Sequence, residues 1–185
     1  MKLKYFLMGL IGLSIISTSC KKEEDPQIPN EEEVITTLIY TLISHDMSDT
    51  VVMRFQDLDG DGGNNPIIMG GTLMANTMYH GELELLNEVE GEDITQEIKD
   101  EAEEHQFFFQ VKDGLDAMVT YDDMDMDGNP IGLMSNLDSK TVSAGKLTIT
   151  LRHEPAKDAP GVSDGNIANA GGETDIEVTF DVDIQ

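Results

Sequence analysis

The stretch Ile176-Glu177-Val178-Thr179-Phe180-Asp181-Val182-Asp183-Ile184 alternates apolar and polar side chains without a break. Period two puts Ile176, Val178, Phe180, Val182 and Ile184 on one face of an extended chain and the acids with Thr179 on the other, which marks a half-buried strand. Lys146 to Arg152 repeats the pattern with Leu147, Ile149 and Leu151 inward. Further back, Ile131 to Leu137, Leu115 to Tyr121 and Gln106 to Lys112 read as strands. So do Thr77 to Leu86, Ile67 to Leu73, Thr50 to Gln56 and Val34 to Ser44. About nine strands at regular spacing, divided by turn residues, predict an all-β sandwich or barrel.

One segment breaks the period. Between Asp93 and His105, Ile94, Ile98 and Ala102 recur at helical spacing among acids. Asp93 with Gln96 makes a capping box, so one short inserted helix is expected. Glu154 to Gly172 contains Pro155, Pro160 and several Gly. It is expected to be a long loop, either mobile or functional. Leu73-Met74-Ala75-Asn76-Thr77-Met78-Tyr79 resembles the Leu-x-Pro-x-Thr-x-Tyr run of fibronectin type III domains, with Ala75 at the Pro position. The resemblance implies a tyrosine corner, in which the Tyr79 hydroxyl bonds to backbone nearby. Together with the strand pattern it implies an immunoglobulin-like antiparallel β-sandwich of about nine strands with one short inserted helix.

Upstream of the strands, Lys2 and Lys4 precede an apolar run from Tyr5 to Ile16, followed by Ser17, Thr18, Ser19 and Cys20. That order is a secretion signal over residues 1–19, and its apolar run is too short to span a bilayer. Cys20 is the only cysteine. Its setting resembles the lipobox of bacterial lipoproteins, with Ser17 where that motif prefers Leu. The resemblance implies lipidation at Cys20 and a membrane held through the lipid. Lys21-Lys22-Glu23-Glu24-Asp25 resembles the export signal that sends lipoproteins of the Bacteroidota to the cell surface; a solvated charge run is the alternative. Residues 20–33 are expected to form a flexible acidic tether, and 34–185 the folded domain. The expected location is the outer membrane, at the cell surface or on the periplasmic face.

The chain has 185 residues, 11 basic and 37 acidic, for a net charge of −26; loss of Lys2 and Lys4 with the leader makes it −28. Such a charge repels nucleic-acid phosphates and attracts cations, so nucleic acid is not an expected partner. The same charge also suits solubility alone. With Cys20 committed to lipid, no intramolecular disulfide can form. The 11 methionines fit either soft copper or a core short of aromatics, and the core is the expected place.

Two loops share one design: Phe55-Gln56-Asp57-Leu58-Asp59-Gly60-Asp61-Gly62 and Tyr121-Asp122-Asp123-Met124-Asp125-Met126-Asp127-Gly128. Asp57, Asp59 and Asp61, and likewise Asp123, Asp125 and Asp127, match the first half of an EF-hand ligand set. The glutamate that closes that set is replaced by Ile68 and Met134. Weak calcium binding or plain polar hairpin turns are the two readings. Of the histidines His45, His80, His105 and His153, His105 lies four residues after Glu101, so the two share a helical face and can hold one metal ion. His80 points outward from its strand, and His153 ends another. A zinc or copper site drawn from His105, His153, Glu101 and His80 is the metal candidate. The alternative puts His105 at a helix C-terminus, favoured by the dipole, with the others solvated. No Gly-x-Ser-x-Gly, phosphate loop or dinucleotide fingerprint is present, and no catalytic residue is expected.

Asp57-Leu-Asp-Gly-Asp-Gly62, Leu73-x-Ala-Asn-Thr-x-Tyr79, Glu103-Glu-His-Gln106, Gly128-Asn-Pro130, Leu151-Arg-His-Glu-Pro155 and Ala170-Gly-Gly-Glu-Thr-Asp175 together resemble a family of small acidic Bacteroidota lipoproteins. That family is labelled "type 1 periplasmic binding fold". The label implies two α/β lobes, whereas the strand pattern here implies a sandwich. The resemblance implies a surface or periplasmic lipoprotein that serves a TonB-dependent outer-membrane receptor. The expected function is capture of a metal ion or metal complex for such a receptor. The alternative is a structural or protein-interaction module with no metal role.

Overall fold

The alternating segments do become strands. The computed structural model describes residues 34–60 and 62–185; the expected secretion signal, Cys20 and expected tether over residues 1–33, and Asp61, lie outside the described residues. The elements are β1 (Thr37–Ser44), β2 (Thr50–Gln56), β3 (Ile67–Met69), β4 (Gly71–Leu73), β5 (Thr77–Asn87), β6 (Glu92–Asp93), α1 (Ile94–Asp100), β7 (His105–Lys112), β8 (Ala117–Tyr121), β9 (Met134–Ser139), β10 (Ser143–His153) and β11 (Glu173–Ile184). One sheet runs β3-β2-β1-β5-β9-β8, with β6 also on β5; the other runs β4-β11-β10-β7.

The result is an all-β sandwich with one short helix, but the nine-strand immunoglobulin-like count is not reproduced. Ile67 to Leu73, expected as one strand, is two. At Gly70 a Cβ would overlap the Asp181 carbonyl oxygen, so only glycine lets the chain pass this close to β11. There the chain leaves β2 in the first sheet and joins β11 in the second. The β4–β11 pairing is parallel, an exception to the antiparallel rule elsewhere. The other addition, β6, is a two-residue pairing with the end of β5.

The inner faces meet in one core. Leu38, Tyr40 and Leu42 of β1 and Tyr79, Leu83 and Leu85 of β5 pack with Leu147, Ile149 and Leu151 of β10 and Val178, Phe180 and Val182 of β11. Methionine supplements this core at Met53 alone. Of the nine methionines past residue 19, Met53 alone is buried, while Met47, Met69, Met74, Met78, Met118, Met124, Met126 and Met134 are exposed. Branched aliphatics and a few large aromatics fill the interior, and strand alternation assigns Met78, Met118 and Met134 to outward slots.

The corner implied by the Leu73–Tyr79 run is formed. The Tyr79 hydroxyl accepts Met74 N–H at 2.9 Å and donates to Asp49 Oδ2 at 2.6 Å. It therefore ties the β4–β5 turn to the β1–β2 turn. The expected capping box is not formed. Asp93, paired as β6 opposite Leu86, makes no side-chain cap bond. Gln96 bonds Asp100 instead.

Residues 154–172 are a packed loop. Val162 and Ala170 cover Phe108, forming a second small core. Alternation on β7 allows this, since Phe107 faces the main core and Phe108 the opposite side of the sheet.

Candidate metal centre

His105 opens β7 and His153 ends β10, and the antiparallel register sets the two directly opposite each other. Their ring centroids are 4.6 Å apart. Both rings are out of solvent, at 0% and 5% exposure. The third member is Asp175 on β11. Leu151 pairs with Ile176 and Arg152 with Thr174, so Asp175 is the extra residue of a β-bulge. Strict alternation would turn it away from the face of Ile176; a bulge re-aims the side chain. Its Oδ1 lies 3.8 Å from His153 Nδ1, and none of its side chain is exposed.

One ligand atom each from His105, His153 and Asp175 lie within 4.8 Å of one another. A tetrahedral zinc with bonds of about 2.0–2.1 Å would hold its donors roughly 3.3 Å apart, so the three would have to draw closer to share one ion. The ring orientation of His105 suits a ligand. Its Nδ1 is 3.1 Å from the Glu101 carbonyl oxygen. A carbonyl only accepts, so Nδ1 carries the proton and the neutral ring has its lone pair on Nε2. A backbone carbonyl holding one imidazole nitrogen is the usual support for a metal-binding histidine. On the solvent side, Glu104 Oε2 lies 3.7 Å from His153 Nε2. Glu104, His153 and Glu154 form a second set within 4.8 Å.

Glu101 enters the centre through its carbonyl, not its carboxylate, which is exposed. The shared helical face expected for Glu101 and His105 does not exist. The helix stops at Asp100, a 3-10 turn spans Ala102–Glu104, and His105 is already strand. His80 lies on the other sheet, with Nδ1 3.6 Å from Asp122 Oδ2, apart from the centre. Sequence reasoning misses Asp175 because a bulge has no residue signature here; only the late start of the β11 alternation hints at it.

The Asp loops spend their carboxylates on turns. Asp57 Oδ1 accepts Asp59 N–H and Gly60 N–H at 3.3 and 3.0 Å. Asp59 Oδ2 accepts the Asn64 backbone and side-chain N–H at 3.0 and 2.7 Å, and these bonds hold its carboxyl below the usual range. Asp123 accepts Gly132 N–H and Met134 N–H. Asp125 Oδ1 accepts Asp127 N–H and Asn129 N–H, and Asp127 itself is exposed. Into the second loop reaches Lys157, whose Nζ donates to Asp125 Oδ2 at 2.8 Å, Ala102 O at 2.6 Å and Pro130 O at 3.2 Å. An ammonium therefore stands where a bound cation would stand.

No family model, curated protein or solved structure matches the chain.

Proposed function

We propose that the protein is a lipid-anchored, non-catalytic accessory at the outer membrane. It captures zinc or copper, free or in a complex, and yields it to a receptor protein there. The observation that carries this reading is the convergence of His105, His153 and Asp175, three ligand atoms within 4.8 Å. Two imidazoles and a carboxylate suit a borderline divalent ion, and three protein ligands leave a fourth position for water or cargo. A net charge of −26 concentrates cations around the domain. The leader, the lipobox-like Cys20 and the Lys-then-acid stretch support the location.

A second reading, an interaction module without metal, is supported by the outer face of the seven-stranded sheet. Ile43, Val52, Met78, Met118 and Met134 are exposed there by 41, 47, 45, 52 and 39%.

The test is a thermal melt of metal-free protein against zinc and copper. An ion that binds the native state raises the melting temperature by mass action. The rise is expected for wild type and is lost in His105→Ala and His153→Ala. No shift with either ion well above micromolar concentration removes the metal reading and leaves the interaction module.

A further inference from the structure

The geometry points to a second, outer metal site, made by Glu104, Glu154 and His153, through which ions enter and leave the buried His105–His153–Asp175 centre. This rests on the metal reading above. The inner set is cut off from water: His105 is 0% and His153 5% exposed, and the Asp175 side chain 0%. A hydrated divalent ion loses waters to reach it and needs ligands in their place along the way.

The outer set supplies them. Its three ligand atoms lie within 4.8 Å of one another. The Glu104 side chain is 53% exposed, and Glu154 is exposed too. The two acids are tied together by Glu154 N–H donating to Glu104 O at 2.7 Å.

His153 belongs to both sets and shows each a different nitrogen. Nε2 faces Glu104 at 3.7 Å, and Nδ1 faces Asp175 at 3.8 Å. A neutral imidazole has one lone pair, so His153 ligates outward or inward, and one ion occupies the pair of sites at a time. Moving inward, the ion frees Nε2 as Nδ1 takes it up. Nδ1 gives up one proton as the ion arrives there, and Nε2, on the side of the exposed Glu104, takes one up, with no net change. The direction follows from ligand chemistry. Two carboxylates and one imidazole favour oxygen-seeking ions less selectively; two imidazoles favour zinc and copper.

The test is stopped-flow zinc exchange against a chelating dye, with the processed full-length protein in detergent. Glu104→Gln/Glu154→Gln is expected to slow both association and release by about tenfold or more, leaving the dissociation constant in place, because a transit site alters rates and not the end state. Glu82→Gln/Glu84→Gln, which removes equal charge from the other sheet, keeps the wild-type rates. Asp175→Asn weakens affinity with association intact. The outer site is overturned if the Glu104/Glu154 variant associates at the wild-type rate. It is equally overturned if its affinity falls with release unchanged, since the two acids would then be permanent ligands. Absence of zinc binding by wild type overturns the metal reading itself and this inference with it; binding with unaltered entry kinetics overturns this inference alone.

Discussion

Lys157 Nζ lies 2.8 Å from Asp125 Oδ2, with 5% and 1% of the two side chains exposed. The pair fastens the 154–172 loop to the β8–β9 connection, and two carbonyls complete the ammonium's bonds. Lys157→Met leaves the Asp125 carboxylate buried without its counter-charge. The expected loss is about 3–5 kcal/mol, read from urea unfolding. Adding Asp125→Asn returns part of it. An unshifted midpoint in Lys157→Met would show that the loop does not depend on this pair.

The tyrosines give a pH prediction. Past residue 19 the chain has Tyr40, Tyr79 and Tyr121, and no Trp. Burial pushes Tyr79 and Tyr121 up to about 12, and Tyr40 higher still. Unfolded phenols ionise near about 10. The folded chain holds these protons more tightly, so their contribution is complete below about 10 and declines as pH rises toward the folded values. Phenolate absorbance is expected to stay flat where free tyrosine titrates and to rise with unfolding. A titration step near the free value in still-folded protein would contradict the buried hydroxyls.

Tyr79→Phe removes one acceptor and one donor together. Met74 N–H and Asp49 Oδ2 each lose a partner. The expected cost is about 1–3 kcal/mol in thermal or urea unfolding, and Asp49→Ala in the same background adds less than it does in wild type. Full additivity would mean that Tyr79 and Asp49 do not act as one unit.

The sandwich was legible because period two is a property of the chain itself. Ile176 to Ile184 and Leu147 to Leu151 face the core as their alternation says. The histidine pair was legible in part. Both His105 and His153 are candidate ligands by residue type, but helical spacing assigns His105 to a helix with Glu101, and their meeting depends on which strands pair, a long-range choice that neither segment encodes. Asp175 and Lys157 were not legible. One is set by a bulge, the other by a loop folding back across the sheet. The methionines misled because thioethers suit cores in general; here the strand register decides, and it turns most of them outward.

Gly70 marks the crossing between sheets, and it tests that topology. A methyl group there meets the Asp181 carbonyl, a backbone atom of β11 that cannot step aside cheaply. Gly70→Ala is expected to cost about 1–3 kcal/mol and to loosen the β4–β11 pairing. Hydrogen exchange should then rise at the Gln185 and Ala75 amides, which donate there to Leu73 O at 2.9 Å and to Gln185 O at 2.7 Å. Exchange unchanged at both would mean that the crossing tolerates a side chain.

Calcium should leave the fold nearly indifferent. In the first loop the Asp57 and Asp59 oxygens already accept backbone and Asn64 N–H groups. In the second the cation position is held by Lys157. Any remaining affinity is at the millimolar end of calcium sites. For such a site, about 0.1 mM calcium adds under about 0.1 kcal/mol, too little to move a melting curve. Zinc at the same concentration is expected to move it through His105 and His153. The two loops separate cleanly by mutation. Asp59→Ala touches only the first turn, whereas Asp125→Ala also strips Lys157 of its counter-charge and lowers stability whether or not calcium binds. A rise of several degrees with micromolar calcium, abolished by Asp59→Ala, would make the first loop a genuine calcium site and overturn its reading as a hairpin turn.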